Sequence, residues 1–305
     1  MTAPLSGVLA PVITPFKADL SPDAARLVTH CRWLLSQNCG LAVFGTNSEA
    51  NSLSVDEKIA LLDALADSGL DTARMMPGTG CCALPDTVRL TAHAVARGCG
   101  GVLMLPPFYY KSVSDEGLFR SYAEVIERVG DARLRVYLYH FPQMSQTPLS
   151  LDLIERLITA YPGTVAGIKD SSGDWSNTQA MLERFPGWGI FAGSESRLVD
   201  TMRLGGRGCI SATCNINPAA IARLQAQWSG PDAAAQQAAC NDIRQIIGRF
   251  PMIAGLKATV ARLSDDPDWS RLRPPLVELT AEQSAVLATE LDGCGFTMPG
   301  LGADG

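Results

Sequence analysis

The sequence predicts an α/β protein folded as a (β/α)8 TIM barrel with a C-terminal helical extension, and three observations lead to this prediction. Short apolar runs alternate with amphipathic helical patterns eight times in succession, which implies a parallel sheet and fits a closed barrel. The chain has 305 residues, 47% of them hydrophobic, so it can bury one large core. Strand-like runs stop after Trp228, which divides the chain into a barrel, 1–229, and a helical extension, 230–305.

The predicted strands are short apolar runs bounded by turn residues. They cover residues 7–14, 41–44, 74–77, 101–105, 134–139, 164–169, 189–192 and 208–212. Near-continuous apolar character is typical of parallel strands, which are buried on both faces. A doubly wound open sheet is the alternative, but no G-x-G-x-x-G turn follows the first run to support it.

The segments between these runs carry apolar residues at helical spacing. The first predicted helix follows Ser21 and has its apolar face over residues 24–35. The second opens with Ser54 and Glu57, whose spacing is that of a capping box. Further barrel helices are predicted at 86–97, 118–129, 151–161, 175–185, 197–204 and 218–228, and the extension is predicted to be helical between 231 and 291.

The composition argues against several kinds of partner. A net charge of −6 and a pI near 5.1 provide no basic face for nucleic acid or an anionic membrane. Nine cysteines without C-x-x-C spacing indicate free thiols in a reducing cytoplasm. No clustered His, Cys and Asp spacing suggests a metal. Residues 1–16 lack a basic start and are interrupted by prolines, so we predict neither a signal peptide nor a membrane span.

Lys169 ends the predicted sixth strand and is followed at once by turn residues. Active sites of barrels lie at the C-terminal ends of the strands. A lysine with the ordinary pKa of about 10.4 is protonated at neutral pH, but burial at an apolar barrel mouth can lower that pKa by several units. Lys169 is therefore a candidate for a lysine that forms a Schiff base with a carbonyl substrate. The local sequence alone favours the alternative, a strand-end lysine whose ammonium group reaches solvent.

Other predicted strands also end in residues suited to chemistry. The second ends in a turn at 45–49 whose backbone N–H groups and small side chains can hold a carboxylate, although an ordinary βα turn explains it equally simply. The fourth and fifth end at 106–110 and 137–142, where tyrosines can transfer protons, although packing explains most single tyrosines. The seventh ends at 193–195 and the eighth at 210–213.

Four of these rim segments together match a known family. They read GTNSE (45–49), PPFYY (106–110), YHFP (139–142) and GIKDSSGD (167–174). In this order, each at the expected strand, they resemble the pyruvate-dependent class I aldolases typified by dihydrodipicolinate synthase and N-acetylneuraminate lyase. The resemblance covers almost the whole barrel and extends into the helical extension. It makes Lys169 the expected Schiff-base lysine.

The resemblance implies catalytic roles for the rim residues. Lys169 would condense with the ketone of pyruvate or another 2-oxo acid, so that a covalent imine takes the place of any separate cofactor. Tyr139 would donate and accept protons during this step. Thr46 would hydrogen-bond Tyr139 and help to hold the substrate carboxylate, with Asn47 beside it.

The resemblance also implies an assembly and two residues of the site wall. Tyr109 matches the tyrosine that family members reach across a dimer interface, with the adjacent Tyr110 as the alternative. A homotetramer built from tight dimers is therefore expected. Gly193 and Ser211 are expected to line the substrate site.

The sequence departs from dihydrodipicolinate synthases in ways that bear on the substrate. Those enzymes carry an arginine for a substrate carboxylate in the turn after the fifth strand, whereas residues 142–147 include no cation. Asn47 and Ser48 replace a threonine and a glycine of their glycine turn. A neutral side chain does not replace a bidentate carboxylate partner. A threonine followed by asparagine in this turn looks more like the 4-hydroxy-2-oxoglutarate and 2-keto-3-deoxy-sugar-acid aldolases of the same family. This resemblance implies a catabolic aldolase that cleaves a 2-keto-3-deoxy sugar acid, or a 4-hydroxy-2-oxoglutarate type of acid, to pyruvate and an aldehyde.

Three alternatives stay open on the sequence. The first is a dehydratase that acts on a 2-keto-3-deoxy acid through the same imine. The second is a condensation like that of dihydrodipicolinate synthase. The third is a non-catalytic protein that binds a 2-oxo acid, since the turn is altered and the arginine is missing. His140 is expected to pack away from Tyr139, because successive strand residues face opposite sides.

Overall fold

The computed structural model describes residues 4–301 and contains a curved parallel sheet surrounded by helices. The strands are β1 (Gly7–Ala10), β2 (Gly40–Leu41), β3 (Val102–Met104), β4 (Val136–His140), β5 (Val165–Asp170), β6 (Gly189–Ala192) and β7 (Gly208–Ile210). They are hydrogen-bonded side by side in the order β2, β1, β7, β6, β5, β4, β3, and each pair is parallel. The predicted α/β class is confirmed.

The predicted third strand, residues 74–77, is not a regular strand, but this part of the chain closes the barrel. Met75 forms a parallel bridge to β2, and Gly78 forms one to β3. Pro77 has no N–H to donate, which limits the pairing to isolated bridges. The segment nevertheless joins the two edges of the sheet. The TIM-barrel prediction is confirmed, with seven regular strands in place of the eight expected.

Helices cover the outside of the barrel close to where their spacing predicts them. They are α1 (Ala24–Ser36), α2 (Val55–Asp67), α3 (Leu84–Ala96), α4 (Asp115–Val129), α5 (Pro142–Ser145), α6 (Leu151–Ala160), α7 (Trp175–Arg184), α8 (Leu198–Arg203) and α9 (Pro218–Ala226). The capping box of Ser54 and Glu57 is present at the start of α2. The short α5 is not predicted by the sequence pattern. None of the helices formed by residues 4–301 combines the length and apolar character needed to span a membrane.

The inside of the barrel is a packed core below the rim. It is formed by Leu9, Ala42, Met76, Leu103, Tyr137, Tyr139, Phe191 and Ile210. The ring of Tyr137 packs directly against Gly101 and Gly167. A Cβ at either glycine would lie only 2.6 Å from the ring, so a larger residue would collide with it. A barrel filled in this way is not a pore, so substrate space is available at the strand ends.

The predicted helical extension is confirmed as α10 (Ala233–Gly248), α11 (Met252–Leu263) and α12 (Ala281–Gly293). A short turn, Pro267–Ser270, brings Trp269 against α1. There the buried ring of His30 lies 5.1 Å from the ring centre of Trp269 and 5.5 Å from that of Trp33. This contact joins the extension to the first barrel helix. The division into units at residues 229 and 230 stays a prediction.

His30 makes the fold sensitive to acid. Burial lowers the pKa of its imidazole to about 4, below the ordinary value of about 6.5. Between these two pH values the unfolded chain binds more protons than the folded chain. The stabilisation is therefore complete above about pH 6.5 and is lost as the pH falls towards about 4, with a total change of about 3 kcal/mol.

We expect His30→Phe to remove this acid sensitivity, because phenylalanine keeps a ring between the two tryptophans and does not titrate. Urea unfolding at about pH 7.5 and about pH 4.5 measures the free energy of unfolding of both proteins. The wild type should lose more stability across this interval than the variant. An equal loss in the two proteins would show that His30 is not the titrating group.

Candidate active site

Lys169 lies on β5 at the C-terminal rim, and its side chain is only 3% exposed. The ladder between β4 and β5 pairs Lys169 with Tyr139. The Nζ of Lys169 donates a hydrogen bond to Oη of Tyr139 at 3.3 Å and lies 4.4 Å from the centre of its ring. The side chain therefore does not reach solvent at the strand end. It holds an amine against a phenol, and both residues are buried.

Thr46 joins this pair from the turn after β2. Residues 46–48 form one turn of 3-10 helix, and Oγ1 of Thr46 is 3.2 Å from Oη of Tyr139. The Tyr139 phenol thus contacts the Lys169 amine on one side and the Thr46 hydroxyl on the other. A phenol in this position can receive a proton from one neighbour and pass it to the other.

Two hydrogen bonds, each between a side chain and the backbone, fix the turn that carries Thr46. The N–H of Gly45 donates to Oγ of Ser48 at 3.1 Å. The hydroxyl of Thr14, which follows β1, donates to the carbonyl of Ser48 at 2.7 Å. Both bonds are buried, so the turn is tied to the neighbouring strand end without exposure to competing water.

A buried ion pair ties the same turn to the helical extension. The ammonium of Lys257 on α11 contacts the carboxylate of Glu49, and both side chains are fully buried. Burial lowers the pKa of Lys257, with the Glu49 carboxylate opposing the shift. The other carboxylate oxygen of Glu49 accepts the backbone N–H of Arg273 at 3.0 Å. The turn that presents Thr46 is therefore held from both the barrel and the extension.

A cavity of about 600 Å³ opens above Lys169. Its lining includes five of the predicted site residues, Thr46, Asn47, Tyr139, Lys169 and Gly193, together with Phe141 of the YHFP segment. The segment after β5 adds Asp174 and Trp175, and the predicted cation-free turn, now α5, adds Met144. The structure thus brings the candidate lysine, tyrosine, threonine and asparagine to one cavity.

Gly193 and Ser211 are both predicted to line the site, but of the two only Gly193 lines the cavity. Gly193 lines the cavity, and a Cβ there would lie 2.5 Å from the carbonyl oxygen of Asp170, so only glycine lets the ends of β5 and β6 approach this closely. Ser211 is not among the lining residues. Its hydroxyl is fully buried and donates to the carboxylate of Glu195, which also accepts the hydroxyl of Thr213. A substrate-binding role for Ser211 stays a prediction.

Tyr109 and Tyr110 lie outside the cavity of their own chain. They are 74% and 72% exposed, and their rings pack edge to face at 5.4 Å. Two large aromatic side chains so exposed are unusual and are typical of an interaction surface. The interface role of Tyr109, with Tyr110 as the alternative, stays a prediction.

His140 packs away from the site, in the direction opposite to Tyr139. Its Nδ1 accepts the backbone N–H of Leu149 at 3.2 Å. Burial lowers the pKa of His140, and the nearby Asp170 carboxylate opposes the shift. The ring therefore has a packing role, as strand alternation predicts.

The roof of the cavity is the part of the site that sequence reasoning misses. It comes from the extension and consists of Arg244, Pro251, Met252, Ile253, Ala254, Leu272, Pro275, Leu276 and Val277. Pro251 marks a helix break in the sequence. However, no sequence signal shows that the chain on either side of that break folds back over the strand ends.

The described residues contain no group of three or more His, Cys, Asp and Glu side chains arranged to hold a metal ion. All nine cysteines are unpaired.

These features define a (β/α)8-barrel protein with a lysine amine, a tyrosine phenol and a threonine hydroxyl in contact at the barrel mouth. The profile of the dihydrodipicolinate synthetase family matches residues 4–292. The chain belongs to this family. The family resemblance of the rim motifs is confirmed.

Individual relatives agree with this assignment. An uncharacterised DapA-like lyase from Chloroflexus aurantiacus is 32% identical over 284 residues, which cover 92% of this chain and 94% of the relative. The crystal structure of dihydrodipicolinate synthase from Agrobacterium tumefaciens matches with a TM-score of 0.87 at 30% identity, covering 95% of this chain and 99% of that one. YagE, a prophage protein of the same family from E. coli K12 crystallised with pyruvate, matches with a TM-score of 0.87 at 26% identity, covering 96% and 100%.

We expect Lys257→Met to destabilise the protein by about 3 to 5 kcal/mol, because it leaves the Glu49 carboxylate buried without its partner. Chemical unfolding followed by circular dichroism measures the change. Lys17→Met is the matched control, since Lys17 is exposed. The double variant Glu49→Gln/Lys257→Met should recover part of the loss, because no unpaired charge remains. A Lys257→Met protein as stable as the control would contradict this account.

Proposed function

We propose that the protein is a Schiff-base-forming lyase that cleaves a 2-oxo acid to pyruvate and an aldehyde. The observation that supports this most directly is the contact of the buried Lys169 amine with the Tyr139 phenol, 3.3 Å away, inside a cavity. An imine needs an amine within reach of the ketone, a route for protons and protection from bulk water. The contact of Lys169 with Tyr139 and the burial of both side chains at one rim support this proposal.

The proposed reaction begins with attack of the Lys169 amine on the C2 ketone. Loss of water from the resulting carbinolamine gives an iminium. Removal of the proton of the C4 hydroxyl breaks the C3–C4 bond, the bonding electrons move into the iminium as an enamine, and the aldehyde leaves. Protonation of the enamine at C3 and hydrolysis of the imine then release pyruvate and restore the amine.

Tyr139 is the proposed proton carrier for these steps. Its phenol contacts Lys169, so it can supply the proton that leaves with the carbinolamine hydroxyl as water. The 3.2 Å contact with Thr46 orients the phenol and offers a second partner for its proton. Asn47 lines the cavity beside Thr46, where it can hold the carboxylate next to the reacting ketone.

The segment after β4, which borders the cavity, indicates the class of substrate. The position after β4 carries Gln143 and Met144 without a cation, and the amide of Gln143 is bonded to the carbonyl of Ser172. A condensation like that of dihydrodipicolinate synthase is therefore less well supported than cleavage of a 4-hydroxy-2-oxo acid or a 2-keto-3-deoxy sugar acid. Loss of water from a 2-keto-3-deoxy acid through the same imine is the second candidate, since the same residues serve both reactions.

A protein that binds a 2-oxo acid without turnover would need neither the buried amine nor the phenol beside it. That both are present, in contact, favours catalysis over passive binding. YagE, the relative crystallised with pyruvate, supports pyruvate as the part of the substrate that reaches the lysine.

We expect borohydride to trap a pyruvyl adduct on Lys169. Intact mass and peptide mapping after reduction in saturating pyruvate measure it. Lys169→Ala should show no adduct, and Lys111→Ala, which changes a lysine outside the cavity, should label as the wild type does. Tyr139→Phe should still label Lys169 but about a hundredfold more slowly, because general acid–base transfer contributes at least that much. Wild-type protein without any adduct would refute the imine mechanism.

We propose further that the enzyme works in the cytoplasm as a homotetramer, with Tyr109 or Tyr110 completing the partner's site. The exposure of both rings supports this. Light scattering should give a mass near four times the 32.4 kDa chain. Of Tyr109→Phe and Tyr110→Phe, one should lower turnover while the mass of the assembly is kept. A monomer with full turnover would contradict the assembly.

A further inference from the structure

The cavity is larger than the pyruvate part of the substrate needs. About 600 Å³ is the size of a site for a drug-sized ligand. Pyruvate bound to Lys169 would occupy the end next to Tyr139 and Thr46. The rest of the space lies towards the extension, where any group attached beyond C4 of the substrate must be accommodated.

Three cations line this cavity among the described residues: Lys169, Arg197 and Arg244. Lys169 is assigned to the imine. Arg197 is at the surface, 57% exposed, and its guanidinium is 3.3 Å from the carboxylate of Asp200. Arg244, on α10, is 27% exposed. It is therefore the better shielded of the two arginines.

A buried carboxylate holds Arg244 in place. Nη1 of Arg244 is 3.3 Å from Oε2 of Glu195 and 3.3 Å from Oγ of Ser211. Glu195 is fully buried and is itself fixed, because it also accepts the hydroxyls of Ser211 and Thr213. Its backbone carbonyl accepts the amide of Gln237 at 2.9 Å. One end of the guanidinium is thus anchored by a rigid network.

The other edge of the same guanidinium is open. Within residues 4–301, Nε and Nη2 of Arg244 have no hydrogen-bond partner, and the side chain lines the cavity. Two parallel N–H donors match the two oxygens of a carboxylate. Because Glu195 already offsets part of the positive charge, a singly charged carboxylate fits this edge better than a doubly charged phosphate.

We propose that Arg244 binds a second carboxylate at the far end of the substrate, so that the natural substrate is a 2-oxo dicarboxylic acid. This inference rests on the proposed function, since it takes the 2-oxo group to be bound at Lys169. It favours a 4-hydroxy-2-oxo diacid over a sugar acid with a neutral end.

Apolar side chains between the two ends agree with a diacid. The roof contributed by the extension includes Met252, Ile253, Leu272, Leu276 and Val277. These five side chains of the roof offer no partners for the row of hydroxyls that a sugar acid carries, whereas the polar lining residues, such as Ser171, Asp174 and Ser194, lie on the barrel side of the cavity. A short carbon chain between two carboxylates leaves few polar groups to satisfy there.

Reductive trapping with paired 2-oxo acids tests the proposal. 2-Oxoglutarate is compared with 2-oxopentanoate, and 2-oxoadipate with 2-oxohexanoate, so that each pair shares its chain length and differs in the terminal carboxylate. The concentration that gives half-maximal adduct on Lys169 is measured for each acid. In the wild type, at least one diacid should trap at a concentration roughly ten to a hundred times lower than its neutral-ended partner.

Arg244→Gln should reduce that preference to within about threefold, and Arg244→Lys should keep part of it, since it keeps the charge. The ratio within each pair is the readout, so a general loss of trapping in a variant cancels. Arg249→Gln, at the end of the same helix, is the matched control, because Arg249 pairs with Glu290 and does not line the cavity. It should keep the wild-type preference.

The outcomes separate this proposal from the proposed function. Trapping of pyruvate without a preference for either diacid would overturn the role of Arg244 and leave the imine mechanism intact. A diacid preference that survives in Arg244→Gln would also overturn the proposed role of Arg244. Absence of any adduct, with pyruvate or with the longer acids, would refute the imine mechanism and the substrate proposal with it.

Discussion

The buried ion pair between Glu49 and Lys257 is the constraint on which the arrangement of the site depends. Two charges inside a protein are tolerated only when each compensates the other, since removing one leaves the second without solvation. Glu49 belongs to the turn that carries Thr46, and Lys257 belongs to α11. The pair therefore fixes a helix of the extension to the rim of the barrel. Arg273 strengthens the connection, because its backbone N–H bonds Glu49 and its guanidinium bonds Glu57 on α2.

The reacting groups themselves are held by a different constraint, the register of the parallel sheet. Lys169 and Tyr139 are paired residues of β5 and β4, so their contact is set by backbone hydrogen bonds rather than by a flexible loop. Gly193 lets the end of β6 approach β5 closely. Rigid strand ends suit a proton relay, which needs atoms held within a few tenths of an ångström of their working positions.

The far end of the cavity is built by other elements. The roof comes from the extension, and its one shielded cation, among the residues that the structure describes, is Arg244 on α10. The carboxylate of Glu195 links this arginine to the ends of β6 and β7 through Ser211 and Thr213. A change in the extension can therefore alter the far end of the cavity without disturbing the lysine.

The sequence by itself determined the barrel, the order of its units, the helical extension and the residues at the strand ends. Apolar periodicity and turn residues are local signals, and the C-terminal ends of parallel strands always meet at one rim. It did not determine the irregular pairing around Pro77, which depends on two neighbouring strands. Nor did it reveal that the hydroxyl of Ser211 donates to the carboxylate of Glu195, or that Arg244 and Lys257 lie near the rim. Those contacts join residues far apart in the chain, and only tertiary packing decides which of them meet.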